Sequence, residues 1–523
     1  MATRLALTLM LISAIAPRAC SNTVRVTGPR GVRLYDTVEL TAIHSGVDGN
    51  RFNIFPSVAF RRGGRTVVVD GFYDGDSTWR ARFMPDQEGE WRYTWAFQGQ
   101  SVEGSFLCAG PAEYGNHGHV KRDPKHPRYL MHDDGATHYW YGGKWIAANN
   151  YGPRSKGGEA NPDRLSDAQL LDYLDECQAR GHNGLLVKLG QFALQNNGAM
   201  WDLNWLRRAE WLVREMGKRG VYCQLSLFDT WSRDSTAWFE YTTDGRRHPF
   251  NAWAPGDEAK KERYIRTIVA RFAGYHNVYW ELGNEMEHHP NSGAAFAAEA
   301  NEKYLPWIRK HDPYGLPIGV SEESIWRSTD VDIAFLHQTS RLPRVEDDRP
   351  TIMNELVFGW HGGELYKDET MRDGANRLGY RRTFWRVFTR GGSGCGQATW
   401  LDIATPLNDA ALDVMDDQHR LREFIEALPV DIRGMGPDAE FVVASPGEPS
   451  TRSKLGKCYV TYFLLEPGES APAGQVELNL PPGAYEASWH DPKTGAATDA
   501  QLVGDRIDHP AFSEDIVLRV VGR

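Results

Sequence analysis

Two glutamates close two strand-like runs in this chain. Val278-Tyr279-Trp280-Glu281-Leu282-Gly283 is an apolar and aromatic stretch that delivers Asn284 and Glu285 at its end. Thr351-Ile352-Met353-Asn354 delivers Glu355 in the same way. Strands of a parallel barrel that end together bring their last residues to one face, so Glu285 and Glu355 are expected to meet across one cleft. Two carboxyl groups so placed can protonate a leaving oxygen and attack or hydrate an acetal carbon, the chemistry of glycosidic bond cleavage. Glu281 lies four residues before Glu285, so period-2 alternation points both to one side. It is read as an inward charge paired to a basic side chain within the barrel.

The elements that must position these residues follow from periodicity. Candidate strands are Tyr139–Trp145, Asn183–Lys188, Val221–Leu227, Val278–Gly283, Pro317–Ser321, Val331–His337, Pro350–Glu355 and Gln397–Leu401. Helical stretches separate most of them. Ser166 with Gln169 forms a capping box ahead of Leu170, Leu174 and Cys177, and Gly181 stops that helix. Asn204 reads as the cap of the next. A helix over 257–273 precedes the key strand, a long one near 294–310 is expected to bend at Pro306, and others cover about 375–388 and 413–428. Eight strands alternating with helices over residues 113–435 have the order and size of a (β/α)8 barrel. Residues 22–112 and 436–523 instead alternate short strands with turns and predict two β-sandwiches, the first of immunoglobulin-like size. The expected fold class is α/β, a (β/α)8 barrel flanked by two β-sandwich domains.

Composition narrows the partners. A net charge of −10 argues against nucleic acid, and 24% charged with 41% hydrophobic residues describes a folded chain. The 18 Trp and 21 Tyr can stack on sugars but also fill cores. Residues 1–20 read as an export signal, Arg4 preceding the apolar run from Leu5 to Ala16, which is too short to span a bilayer. Plain export, periplasmic or extracellular, is the favoured reading, and a lipid anchor at Cys20 the lesser one. The six Cys are scattered, without a CxxC pair, and read as isolated core thiols. His288-His289 after Glu287 suggests metal ligation, but adjacent loop residues rarely hold one ion and no HExxH is present, so neither a metal nor another cofactor is expected. The sequence carries no signal of oligomeric state.

The motif Trp280-Glu281-Leu282-Gly283-Asn284-Glu285 resembles the strand-four signature of clan A glycoside hydrolases, and Glu355 and Trp400 resemble that superfamily's strand-seven nucleophile and strand-eight aromatic. Residues 22–112 are similar to an immunoglobulin-like domain of unknown function found ahead of such barrels, and residues 436–523 to a small collagen-binding-like domain. The resemblance implies a retaining hydrolase acting on a poly- or oligosaccharide, with Glu285 as acid/base, Glu355 as nucleophile and Asn284 on the substrate 2-OH. It departs at two places: Lys188 stands where Arg is common after strand two, and His337 where Tyr is common after strand six. His337 is a candidate to hold or orient Glu355. Trp145, Lys188, Asp229, Trp231, Trp360 and Trp400 fall at or beyond strand ends and are candidate subsite residues. Glu322-Glu323 reads as a subsite wall or a solvated pair. Alternatives are a transglycosylase on the same barrel and a non-catalytic carbohydrate-binding or adhesion protein.

Overall fold

The computed structural model describes residues 24–113, 115–143, 146–147, 166–189, 194–195, 200–201, 203–229, 239–241, 247–249, 258–286, 293–337, 342, 348–355, 374–396, 409–466 and 468–523. Eight parallel strands close into a barrel: β1 (Trp140–Gly142), β2 (Gly184–Lys188), β3 (Tyr222–Asp229), β4 (Val278–Asn284), β5 (Ile318–Ser321), β6 (Ile333–His337), β7 (Thr351–Glu355) and β8 (Gly394–Gly396). Each pairs with the next, and β1 pairs with both β2 and β8, which completes the ring. Burial on both faces explains why these strands read as unbroken apolar runs: every residue of β4 to β8 is buried.

Helices α1 (Asp167–Ala179), α2 (Leu203–Gly217), α3 (Glu258–Phe272), α4 (Gly293–Glu299), α5 (Leu305–His311), α6 (Glu323–Trp326), α7 (Gly374–Thr389) and α8 (Asp409–Glu426) alternate with the strands. The capping box of α1 forms as its sequence requires: the Ser166 hydroxyl accepts from the Gln169 N–H at 3.2 Å, and Gln169 Oε1 accepts from the Ser166 N–H at 2.9 Å. Three expectations change. Helix α2 already begins at Leu203, so Asn204 lies inside its first turn. The long helix is interrupted by a π-turn over Ala300–Tyr304, directly ahead of Pro306, where the chain absorbs the hydrogen bond a proline cannot donate. Strand eight is Gly394-Cys395-Gly396, before the expected Gln397–Leu401, whose residues lie outside the described ones.

The barrel floor explains strand eight. Trp140 points into the lumen with Tyr222, Tyr279, Ile333, Phe335 and Ile352, over Val120 and Leu130 from a three-stranded sheet (120–122, 130–132, 137–138) below. The indole takes the space that side chains at Gly142, Gly184 and Gly396 would need, and the Trp140 backbone and Cβ take the space at Gly394. A strand that must be glycine at alternate positions cannot announce itself by hydrophobicity.

Sheets that are antiparallel, apart from the parallel pairing of Gly31–Val32 with Leu107 and Cys108, flank the barrel on both sides. Before it, a four-stranded and a five-stranded sheet enclose Val38, Leu40, Phe60, Trp79, Trp91 and Trp95. After it, a six-stranded and a four-stranded sheet enclose Tyr459, Phe463, Val476 and Leu518. Buried ions join the first pair of sheets to the barrel. Arg82 reaches Glu210 on α2 at 2.9 Å, and Arg271 on α3 bonds both Glu210 at 2.6 Å and Asp74 at 2.7 Å. On the other side, Arg381 of α7 bonds Asp515 at 2.8 Å, and Asp515 also accepts from the Tyr462 hydroxyl. These ions are compensated in place, so removing one partner strands a buried charge. The five described cysteines are free and buried, as isolated thiols should be. Among the described residues no helix is long and apolar enough to cross a membrane.

A Cβ on Gly184 would overlap the Trp140 indole nitrogen, and neighbouring strands leave the ring nowhere to go. Gly184→Ala should therefore lower stability by about 1–3 kcal/mol, read as a lower urea midpoint at unchanged slope. An unchanged midpoint would show that the floor is not packed this way.

Candidate active site

Strand alternation sorts each barrel residue. In β4, Val278, Trp280 and Leu282 pack toward the helices, while Tyr279 lies in the lumen, which sends Glu281 inward above it. Glu285 follows the strand at φ 52°, a left-handed turn that few non-glycine residues adopt. Ser321 at the end of β5 pins that turn from both sides. Its hydroxyl accepts from the Glu285 N–H at 2.7 Å and donates to the Gly283 carbonyl at 3.2 Å.

Strand β7 needs a second device. Ile352 is in the lumen and Met353 outside it, so plain alternation would aim Asn354 inward and Glu355 outward. The register slips by one between Leu336 and His337, so that His337 pairs with Glu355 rather than Asn354. Such a bulge re-aims the side chain after it, and Glu355 turns into the lumen.

The two carboxylates meet there, around His337. One oxygen of Glu285, one of Glu355 and a ring nitrogen of His337 lie within 4.8 Å of one another. His337 Nδ1 is 3.2 Å from Glu285 Oε1 and 3.5 Å from Glu322 Oε1, and Nε2 is 4.0 Å from Glu355 Oε2. The imidazole thus stands between the two glutamates and lies closer to Glu285, where the sequence suggested Glu355. Lys188 Nζ, at the end of β2, lies 3.6 Å from Glu355 Oε2. Burial alone would lower the basicity of His337. The hydrogen bond to Glu285 and the charges of Glu355, Glu285 and Glu322 outweigh it and push its pKa up to about 9.

Glu281 lies beneath this group, fully buried. Burial pushes its carboxyl up to about 7, against the opposing charges of His337 and Lys188. It is not the ion pair expected from the sequence. Among the described residues neither oxygen has a partner of full hydrogen-bonding geometry; Ser226 lies near enough to offset part of the effect of burial, while its hydroxyl donates to the Phe228 carbonyl at 3.0 Å. Lys188, the basic side chain at hand, sits beside Glu355 instead.

Glu322 is the residue that sequence reasoning misjudged. It is buried, 3% exposed, and not a solvated loop residue. Its only signal was its place, immediately after strand five. Asn284 is buried at the end of β4 and faces Asp229 of β3 in register. The side chain of Asp229, and Trp145, Trp231, Trp360, Trp400, His288 and His289, lie outside the described residues.

Comparison with known proteins bears on the family and the fold. Residues 158–362 match the model of cellulase (glycosyl hydrolase family 5), and residues 31–98 match a domain of unknown function, DUF5060. A candidate glycoside hydrolase from Bacteroides vulgatus shares the fold over 95% of this chain and 100% of its own, at TM-score 0.67 and 17% identity. An exo-beta-1,4-mannosidase from an Opitutaceae bacterium aligns over 59% of this chain and 64% of its own, at TM-score 0.43 and 18% identity. An endo-glycoceramidase II from Rhodococcus aligns over 76% and 100%, at TM-score 0.38 and 16% identity. No curated protein of similar sequence was found.

The Glu281 environment fixes a pH dependence. A carboxyl raised from 4.5 to about 7 favours the fold in its neutral form. That contribution is whole below pH 4.5 and is lost as pH rises through 7, by roughly 3 kcal/mol. Glu281→Gln, neutral throughout, should flatten the decline of the urea midpoint between pH 4.5 and 7. An identical slope in both proteins would mean that Glu281 does not titrate there.

Proposed function

Taking as premise that the chain is a glycoside hydrolase whose central barrel belongs to clan A, we propose that it cleaves O-glycosidic bonds with retention of configuration. Glu285 is the acid/base and Glu355 the nucleophile. The observation that carries this reading is the approach of their carboxylates: one oxygen from each lies within 4.8 Å of the other, at the ends of strands four and seven. Inverting enzymes hold their carboxyl groups about 6.5–9.5 Å apart to admit a water, and retaining ones about 5–5.5 Å.

The residues divide the work as follows. Glu355 attacks the anomeric carbon while the Glu285 carboxyl gives its proton to the leaving oxygen. The glycosyl group is then an ester of Glu355. Glu285, now a carboxylate, takes a proton from water, the oxygen of that water attacks the anomeric carbon, and Glu355 leaves as a carboxylate. Lys188 compensates the charge of Glu355 between turnovers, in the place where related barrels carry Arg. His337 holds Glu285 in line through Nδ1. Asn284 is assigned to the 2-OH, whose contacts strengthen in the transition state. Trp145, Asp229, Trp231, Trp360 and Trp400 are assigned to substrate subsites from their positions in the sequence.

The substrate class is a poly- or oligosaccharide. Export through residues 1–20 would deliver the enzyme to such polymers. Residues 22–112 and 436–523 are assigned as an immunoglobulin-like and a collagen-binding-like sandwich without catalytic residues, around a catalytic domain over 113–435.

The two glutamates should fail differently. In Glu355→Ala no glycosyl-enzyme forms, and azide should restore turnover with inverted product. In Glu285→Ala an activated aryl glycoside should still glycosylate Glu355, the ester should accumulate, and azide should release it with retention. Product configuration by NMR reads both outcomes. The opposite pattern, or inversion by the wild type, would reject these roles.

A further inference from the structure

Nδ1 of His337 faces two carboxylates, not one: Glu285 at 3.2 Å and Glu322 at 3.5 Å. A single N–H can give a full, near-linear hydrogen bond to one of them at a time, and only a weaker, shared one to both. The second carboxylate is 3% exposed and sits on a strained backbone, at φ 76° and ψ 127°. A non-glycine residue in that conformation is strained. Glu285, the other partner, also has positive φ. The chain thus bends twice against preference to set two carboxylates around one imidazole nitrogen.

Resting on the assignment of Glu285 as acid/base, we propose that Glu322 is a positioning residue that takes over the His337 Nδ1–H whenever Glu285 is protonated. A general acid beside a permanent cation faces a conflict. The imidazolium favours the ionised Glu285, which is right for activating water and wrong for protonating a leaving group. An alternative acceptor resolves it. Before glycosylation Glu285 carries its proton, and Nδ1–H is directed at Glu322. After Glu285 has given that proton to the leaving oxygen, Nδ1–H turns to the new carboxylate. When Glu285 takes a proton from water, the hydrogen bond returns to Glu322. No proton leaves His337 in the cycle, and the ring moves only within the span between two acceptors.

Among the described residues the other charges around the ring are Glu355 of β7, Lys188 of β2, which lies against Glu355, and Glu281 of β4 beneath. None of them shares Nδ1. Glu355 meets Nε2, Lys188 repels the imidazolium, and neither changes which acceptor Nδ1–H selects. Glu322 also raises the affinity of Glu285 for its proton directly, as a neighbouring negative charge does. Both effects have one sign: without the Glu322 charge, Glu285 loses its proton at lower pH.

The test compares Glu322→Gln, Glu322→Gly and Glu285→Ala with the wild type on one glycoside carrying either a sugar or a dinitrophenyl leaving group. In Glu322→Gln the alkaline limb of kcat/KM on the sugar leaving group should fall by about one pH unit. The loss on the dinitrophenyl glycoside, which needs little protonation, should be smaller by about tenfold or more. Glu322→Gly tolerates the positive φ and lacks only the carboxylate, so it should repeat this pattern. An unmoved limb, or an equal loss on both leaving groups, would overturn the proposal, as would a Glu322→Gly variant that matches the wild type. Glu285→Ala separates the two readings. Leaving-group dependence there but not in the Glu322 variants rejects the role of Glu322 alone. Its absence in Glu285→Ala rejects the acid/base assignment and the role of Glu322 together.

Discussion

Four glutamates and two cations share the mouth of the barrel, and most of the site follows from keeping them together out of water. Glu281, Glu322 and Glu355 are 0%, 3% and 4% exposed, and Glu285 is half-buried beside them. Uncompensated carboxylates in such a place would bind protons or unfold the chain. Lys188 answers one, at Glu355, and His337 contacts Glu285 and Glu322 and, at longer range, Glu355 as well. Glu281 receives the remainder of both charges and is the carboxyl that burial pushes up to about 7.

The scaffold supplies what charge balance alone cannot, which is direction. Ser321 holds the turn at Glu285, and the slipped register of β7 turns Glu355 inward. Both devices sit on strands, where a position is held more rigidly than on a loop. The floor below is packed around Trp140, and ions at Glu210 and Asp515 tie the neighbouring sheets to α2, α3 and α7. Those contacts fix the helices behind the strands and so the strand ends themselves.

Much of this was legible in the sequence, for a physical reason. Strands buried on both faces have to be apolar throughout, so runs such as Val278–Gly283 stand out, and the glutamates that end them stand out by contrast. The Ser166–Gln169 box was legible because capping is a local interaction. What escaped depends on neighbours distant in the chain. Strand eight was placed too late because Gly394 and Gly396 answer to Trp140 on the neighbouring strand β1, far away in the chain: Gly394 to its backbone and Cβ, Gly396 to its ring. The burial of Glu322 depends on His337, and the partner of Lys188 proved to be Glu355 rather than Glu281. The slip that aims Glu355 is invisible to alternation, which on its own would have turned that residue away from the site.

The central claim is that Glu355 is the group that bonds to the sugar. A 2-deoxy-2-fluoro glycoside with a dinitrophenyl leaving group slows release of the glycosyl-enzyme more than its formation, so the ester can be located by mass spectrometry of a protease digest. The account predicts one label per chain, on the peptide containing Glu355, and its loss on treatment with a saccharide acceptor. A label on Glu281 or Glu322, or stoichiometric turnover with inverted product and no label, would contradict it.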